Sequence, residues 1–327
     1  MKRSLVKVLD VTATTTARPV AVPGRTARRR NQARDFRTTR WGWAYSAPAV
    51  LIFATFVIIP TGYTFYVSLW KWNALDPALS TFKGVGNYQR LIAATQPTFL
   101  SSVWHSLYFS GAMVIGGTAV SLALALLLQR GGVLLNASRV ALFLPHATPV
   151  IATSMIWVWI FNPRFGLADW VLHSLHLPTS DWLQSSSSSM PAVIIYSLWH
   201  EVGFTTVVFL GGLATLPNEL SEAARVDGCS AWQEFWYLTW HQLRPVTTFV
   251  VAITAITSLQ AFTQFYALSG GGPVYATTTL SYLVYQEAFV LSDTGYGAAL
   301  AVVLFAITVL FTLVRRRTAA GSESSLV

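Results

Sequence analysis

The chain has 327 residues, of which 53% are hydrophobic and only 11% charged, with a mean hydropathy of +0.49. Soluble domains carry about 25% charged residues, so the composition excludes an ordinary soluble protein and predicts a polytopic membrane protein in a lipid bilayer. The net charge of +9 does not point to nucleic acid, because 11 of the 22 Lys and Arg lie in residues 1–40 and most of the rest flank apolar segments.

Residues 1–40 are rich in Arg, Thr and Ala, include Arg28-Arg29-Arg30 and show no apolar periodicity. They read as a disordered basic cytoplasmic tail. A cleaved signal peptide is not expected, since the next apolar run is too long and lacks a processing site. Residues 41–316 form the expected membrane domain, and 317–327 a short cytoplasmic tail.

Six apolar segments come after the tail, at 44–69, 104–128, 140–161, 190–215, 246–268 and 296–314. Each is near or above the ~20 residues that span a bilayer as a helix. The fold class is therefore all-α, with six transmembrane helices. With the N-terminus in the cytoplasm, that side holds the tail, Arg130, Arg139, Arg225, Arg244 and Arg315-Arg316-Arg317. Only Lys71, Lys83, Arg90 and Arg164 then lie outside. Basic residues mark the cytoplasmic side, so both termini are expected there.

The polar stretch from Leu216 to Pro245 interrupts the apolar pattern and reads as two short helices. Asn218 is the expected N-cap of the first, with Glu219 and Glu222 in the first turn, where the helix dipole favours anions. Gly228 supplies a left-handed residue to end it. Ser230-Ala231-Trp232-Gln233 opens the second with a capping box. There, Trp232, Phe235, Trp236 and Trp240 recur at helical spacing, an apolar stripe suited to docking outside the membrane.

Glu222-Ala223-Ala224, three residues, then Gly228 resembles the EAA loop of binding-protein-dependent ABC importer permeases. Trp240-His241 stand where that pattern has Leu-Pro, with Pro245 following. The carbohydrate-uptake branch is resembled further by Phe82-Lys83-Gly84-Val85-Gly86-Asn87-Tyr88, by Leu144-Pro145 with Pro149, and by Trp157 to Pro163. Trp199, Gly203 and Phe204 match the fourth span. Ser269-Gly270-Gly271-Gly272-Pro273 with Thr277 to Thr279, Tyr282, Tyr285 and Ala288-Phe289 matches the stretch just outside the fifth span.

The resemblance implies the first permease of a two-permease importer of the maltose and glycerol-3-phosphate type. Its implied partners are a second homologous permease, a cytoplasmic ABC ATPase dimer and an extracytoplasmic solute-binding protein, in a bacterial-type plasma membrane. It also implies that Glu222, Ala223, Ala224, Asp227 and Gly228 couple to the ATPase. Lysines occur only at 2, 7, 71 and 83, none after a glycine, so a G-K-[ST] phosphate loop is absent. ATP and Mg²⁺ are accordingly expected on the partner ATPase, with no cofactor on this chain and no catalysis by it.

Glu201, beside His200, is the one carboxylate deep in a span, where an ionisable group costs at least ~2.5 kcal/mol. It either lies on the solute path or is half of a buried pair with a neighbouring helix or the partner permease. His200-Glu201-Val202-Gly203-Phe204 lacks the second histidine of an H-E-x-x-H zinc motif, and the one cysteine, Cys229, cannot form an intrachain disulfide. No metal site is expected.

Trp199, His200, Glu201, Gln260, Gln264 and Tyr266 are the candidate substrate-path residues. Thr254, Thr257, Ser258 and Thr263 add polarity without charge, suited either to interhelical bonds or to a neutral, hydroxyl-rich solute. Gly270, Gly271, Gly272 and Pro273 form an irregular external turn. A self-contained secondary transporter or channel is the alternative reading. Such carriers usually hold several intramembrane charges or paired broken helices, and one Glu without a detectable internal repeat argues against it.

Overall fold

The computed structural model describes residue 43 and residues 45–73, 76–93, 98–129 and 132–323, without the side chains of Asn218 and of residues 316–323. The expected basic tail at 1–40 and the last four residues lie outside the described residues. The chain divides into two units, Met1–Thr61 and Gly62–Val327. In the first, residues 45–61 are helical with one π-helical turn, Ala54–Ile58, and its described side chains are exposed or half-buried. They belong to the candidate span α1, Tyr45–Ser68.

In the second unit, the short strands β1 (Trp70–Lys71) and β2 (Thr81–Phe82) pair antiparallel. They lead to α2, Gly86–Ala93. The remaining helices are α3 (Phe99–Leu128), α4 (Val133–Ala147), α5 (Val150–Ile160), α6 (Leu167–Ser174) and α7 (Ser189–Ala214). Then come α8 (Asn218–Val226), α9 (Ala231–Gln242), α10 (Arg244–Leu259), α11 (Thr263–Leu268), α12 (Leu280–Tyr285) and α13 (Thr294–Glu323).

The fold is all-α apart from the small ribbon. Four helices among the described residues, α1, α3, α7 and α13, are long and apolar enough to cross a membrane. The pairs α4–α5, bent by 100°, and α9–α10, bent by 66°, bring the number to six if each is one span. The third apolar segment is thus two helices. Pro149 stands at the N-cap of α5 with extended backbone, and Thr148 before it is extended too, because a residue preceding proline is pushed out of the helical region.

The fifth segment also breaks: α10 stops at Leu259 and the chain restarts as α11. The serines before α7 are held by hydrogen bonds. Ser188 Oγ donates to the Trp182 carbonyl at 2.6 Å, Ser189 N–H donates to the Ser185 carbonyl, and Ser189 is fully buried.

α7 is the central element. It contacts α3, α4, α5, α10 and α11, and at 26 residues it is about 39 Å long at 1.5 Å per residue. One core cluster around it joins Phe109, Met113, Phe161, Val193, Tyr196 and Phe265. A second, towards the 216–245 loop, joins Leu122, Ala125, Phe209, Leu243 and Val250. Short hydroxyl bonds tie the helices where apolar contact gives no drive for association in lipid. Ser258 Oγ donates to Ser110 Oγ at 2.8 Å, Thr153 Oγ1 and Tyr196 Oη share a bond of 2.8 Å, and Ser121 pairs with Thr205. A third cluster packs Leu280, Leu283, Tyr296 and Leu300 against Leu91 of α2. Arg90 locks it from outside, paired with Asp293 and lying 4.3 Å over the Tyr296 ring.

Candidate functional site

Gly203 sets the geometry at the middle of α7. A Cβ there would lie 1.8 Å from the Leu142 carbonyl oxygen, so only glycine lets the backbones of α4 and α7 touch. One turn along α4 from Leu142, this contact places His146 beside His200, Glu201 and Phe204. The His146 ring stacks on Phe204 at 4.9 Å and lies 5.6 Å from the His200 ring. His146 Nδ1 is 3.4 Å from Glu201 Oε2, and His200 Nδ1 is 3.4 Å from Glu201 Oε1. Glu201 is therefore paired with a neighbouring helix.

Glu201 also lines a small, partly open cavity. Its walls are Phe109, Met113 and Gly117 of α3, Glu201, Val202 and Thr205 of α7, Thr254, Thr257 and Ser258 of α10, and Gln264 of α11. Met113 and Gly117 bound a π-helical turn, a feature frequent at functional sites because it interrupts the regular ladder. Glu201 thus meets a neighbouring helix and lines the cavity, but the pair is half-exposed rather than buried, with 42% of the Glu201 side chain accessible.

The fold brings Glu201 and Gln264 together at this cavity and separates the other candidates. His200 is 5% exposed and faces α4, with Nε2 3.3 Å from the Thr148 carbonyl. Trp199 sits on another face, tilted against Trp157 at 5.3 Å and Tyr196 at 6.2 Å. Gln260 is exposed at the break after α10. Tyr266 joins an aromatic group instead: it stacks on Phe262 at 5.6 Å and meets Tyr285 edge-on at 5.4 Å. Tyr285 extends the group to Tyr282 and Phe289.

The glycine turn closes on this group. Gly270 and Gly271 have φ of +56° and +76°, and Pro273 follows a cis bond. Tyr282 Oη donates to the Gly270 carbonyl at 2.8 Å, and a Cβ on Gly271 would lie 2.4 Å from the Tyr282 ring. Thr277 and Thr278 donate to the carbonyls of Gly272 and Gly271.

His146 went unrecognised in the sequence. Its signal was the Pro145–Pro149 interruption, which marks irregular backbone where a cavity or site is expected. The absence of a metal-ligand pattern did not carry into three dimensions. His146, His200 and Glu201 each present a donor atom, all within 4.8 Å of one another. Local spacing could not reveal this, because the third donor comes from a different helix.

At the far end of α7, α8 begins at Asn218 with Pro217 in the N-cap position, so Asn218 is not the cap, and only Glu219 lies in its first turn. α8 ends as its glycine requires. Gly228 has φ +81°, its N–H donates to the Arg225 carbonyl, and Cys229 N–H reaches the Ala224 carbonyl at 2.9 Å. This is the Schellman closure that satisfies the orphan carbonyls. The capping box at Ser230 and Gln233 is formed.

Ala224 is buried, whereas Glu222, Ala223, Asp227 and Gly228 are exposed. Glu234 of α9 accepts from Ser221 and from Arg225 Nε, the latter at 3.4 Å, which ties the two helices. The Ser221 hydroxyl, then Arg225, holds the Glu234 carboxyl below its usual range. The aromatic stripe divides. Phe235 and Trp240 pack on the chain's own core, while Trp232 and Trp236 stay exposed. A π-helical stretch at Glu234–Thr239 shifts the register that a regular helix would give.

Residues 117–320, which include the cavity-bearing parts of α7, α10 and α11 and the whole 216–245 loop, match the family of binding-protein-dependent transport system inner membrane components. The chain belongs to that family. It is a multi-pass permease subunit of an ATP-driven importer, a transport component and not an enzyme, and the carrier-or-channel alternative falls away.

The trehalose/maltose transport system permease protein MalF of Thermococcus litoralis is 31% identical over 279 residues, covering 85% of this permease and 93% of the relative. The sulfoquinovosyl glycerol transport system permease protein SmoG of Agrobacterium fabrum is 30% identical over 304 residues, covering 90% and 98%. A permease chain in the crystal structure of a bacterial alginate ABC transporter, in complex with its pentasaccharide-bound periplasmic protein, shares the fold. It has a TM-score of 0.74 at 19% identity, over 88% of this chain and 96% of that one.

Proposed function

We propose that this permease imports a sugar or sugar-like solute through the cavity walled by Glu201, Thr205, Thr254, Thr257, Ser258 and Gln264. The observation that carries the reading is the chemistry of that wall: hydroxyls, an amide and one carboxylate beside Phe109, Met113 and Val202, with no Lys or Arg. A neutral polyol fits it, whereas a phosphate ester would call for cations. In the Phe262–Tyr266–Tyr285 group, Tyr266 is exposed and the other two are half-buried, leaving ring surface on which a sugar's apolar face can stack. The saccharide-related names of the relatives and of the structural neighbour support the same solute class.

Both termini are cytoplasmic in this reading, on the distribution of Lys and Arg. A second permease completes the pathway, and a solute-binding protein docks outside beside the Gly270–Pro273 turn. ATP and Mg²⁺ are bound by a separate ATPase dimer. It engages the exposed Glu222, Ala223, Asp227 and Gly228, with Trp232 and Trp236 as apolar neighbours. Helix α8 moves with the ATPase, and because Glu234 ties α8 to α9, the motion passes along α9 into α10 and the cavity wall.

Expression of the chain with its neighbouring transport genes, followed by mild detergent extraction and reconstitution, tests the proposal. The expected result is a complex containing an ATPase and a second permease that takes up a labelled oligosaccharide or polyol when ATP and the binding protein are present. A complex that assembles and takes up only charged amino acids or phosphate esters would refute the solute class. Purification of this chain alone, with transport intact, would refute the partners.

A further inference from the structure

We propose that His146, His200 and Glu201 form a binding site for one first-row transition metal ion, Zn²⁺ being the fitting resident. Three observations point there independently of the solute carried. First, the spacing is that of ligands around an ion. Two donors each about 2.0–2.1 Å from a tetrahedral Zn²⁺ stand about 3.3 Å apart. Both histidine Nδ1 atoms lie 3.4 Å from an oxygen of Glu201, and the whole set falls within 4.8 Å.

Second, the tautomer of His200 is fixed. The Thr148 carbonyl, 3.3 Å from Nε2, can only accept, so Nε2 carries the proton, and in the neutral ring the lone pair of Nδ1 then faces the Glu201 carboxylate 3.4 Å away. Two lone pairs that face each other repel unless a cation sits between them. A backbone carbonyl on the far nitrogen is also the usual outer partner of a metal-bound histidine. Third, His146 Nδ1 is a buried nitrogen without a hydrogen-bond partner, 3.4 Å from the other oxygen of the same carboxylate. Buried polar atoms are rarely left so.

Two imidazoles and a carboxylate suit Zn²⁺, Co²⁺ or Ni²⁺ and disfavour Ca²⁺ and Mg²⁺, which take oxygen ligands. Glu201 also lines the cavity, so a remaining coordination position is within reach of water or a solute hydroxyl. The ion bridges α4 and α7 where their backbones touch at Gly203.

The test uses the assembled transporter in detergent, without a polyhistidine tag, stripped with a chelator and titrated with Co²⁺. Visible absorption bands of a four-coordinate Co²⁺ ion are expected, saturating at one ion per copy of this chain and bleached by Zn²⁺. The His146→Gln complex should bind at least about 100-fold more weakly, and Glu201→Gln likewise. Wild-type complex that shows no saturable binding overturns the site and leaves a proton as the only cation shared by the three groups; this outcome needs no variant to fold. Equal binding by wild type and an assembled His146→Gln complex overturns it too, since the ion would then sit elsewhere.

Discussion

Gly203 and the Leu142 carbonyl oxygen approach so closely that a β-carbon on residue 203 would lie 1.8 Å from that oxygen. The contact joins α4 to α7, and the position of His146 beside Glu201 depends on it. Gly203→Ala is therefore expected to force the helices apart and cost about 1–3 kcal/mol, the usual range for overpacking. Gly111→Ala, where nothing lies within 4 Å of the added carbon, should leave stability unchanged or slightly raised. Thermal unfolding of the two purified complexes checks this. Equal midpoints for Gly203→Ala and wild type would show that the helices can part without loss.

Gly228 calls for a different substitution pattern. No atom stands within 4 Å of a β-carbon placed there, so only its left-handed backbone, at φ +81°, resists a side chain. A β-branched residue pays about 1–2 kcal/mol at such a position, whereas Asn tolerates it. Gly228→Val should assemble normally yet lose most ATP-driven uptake, and Gly228→Asn should keep most of it. Parallel measurement of ATPase activity and uptake separates loss of coupling from loss of protein; full uptake by Gly228→Val would end the idea.

Glu234 makes the link between α8 and α9 sensitive to pH. Its carboxyl is held below the usual range by the Ser221 hydroxyl and then by Arg225. A group depressed in the folded state contributes stability above its unfolded pKa, about 4.3 for glutamate, and loses it as pH falls through the folded value. Amide hydrogen exchange in residues 218–242 should therefore accelerate, after correction for intrinsic rates, only below that unfolded value. Ser221→Ala, which brings the folded value closer to the unfolded one, should shrink this acceleration and complete it at higher pH. An acceleration of unchanged size in Ser221→Ala would mean that the hydroxyl does not hold the pair.

Tyr285 contacts Phe262, Tyr266, Tyr282 and Phe289, so it is the hub of this aromatic group. Tyr285→Ala should weaken solute transport by up to about tenfold, the worth of about 1.4 kcal/mol of lost stacking, with complex yield and basal ATPase activity kept. Tyr285→Phe should behave as wild type, since the ring face and not the hydroxyl is what matters. Equal uptake by wild type and Tyr285→Ala would remove this group from the solute path.

The sequence alone determined the membrane class, the apolar segments and the two helices of the 216–245 loop, because those features have local causes. Hydropathy over ~20 residues, a glycine at Gly228 and the serine–glutamine box at Ser230 and Gln233 act within a few positions of themselves, and the structure forms them there. Even so, the outward face of α9 escaped the pattern, since a π-helical stretch redirects Phe235 and Trp240 into the core.

Tertiary structure decided the rest. Whether Gln260 or Gln264 faces the cavity depended on where the fifth segment breaks, and Gln264 lines it while Gln260 stays exposed beside the break. The grouping of His146 with His200 and Glu201 crosses two helices whose contacting residues, such as Thr148 and His200, are 52 positions apart. No spacing rule reaches that far along a chain. It took the bend of 100° between α4 and α5 and a glycine small enough for two backbones to meet.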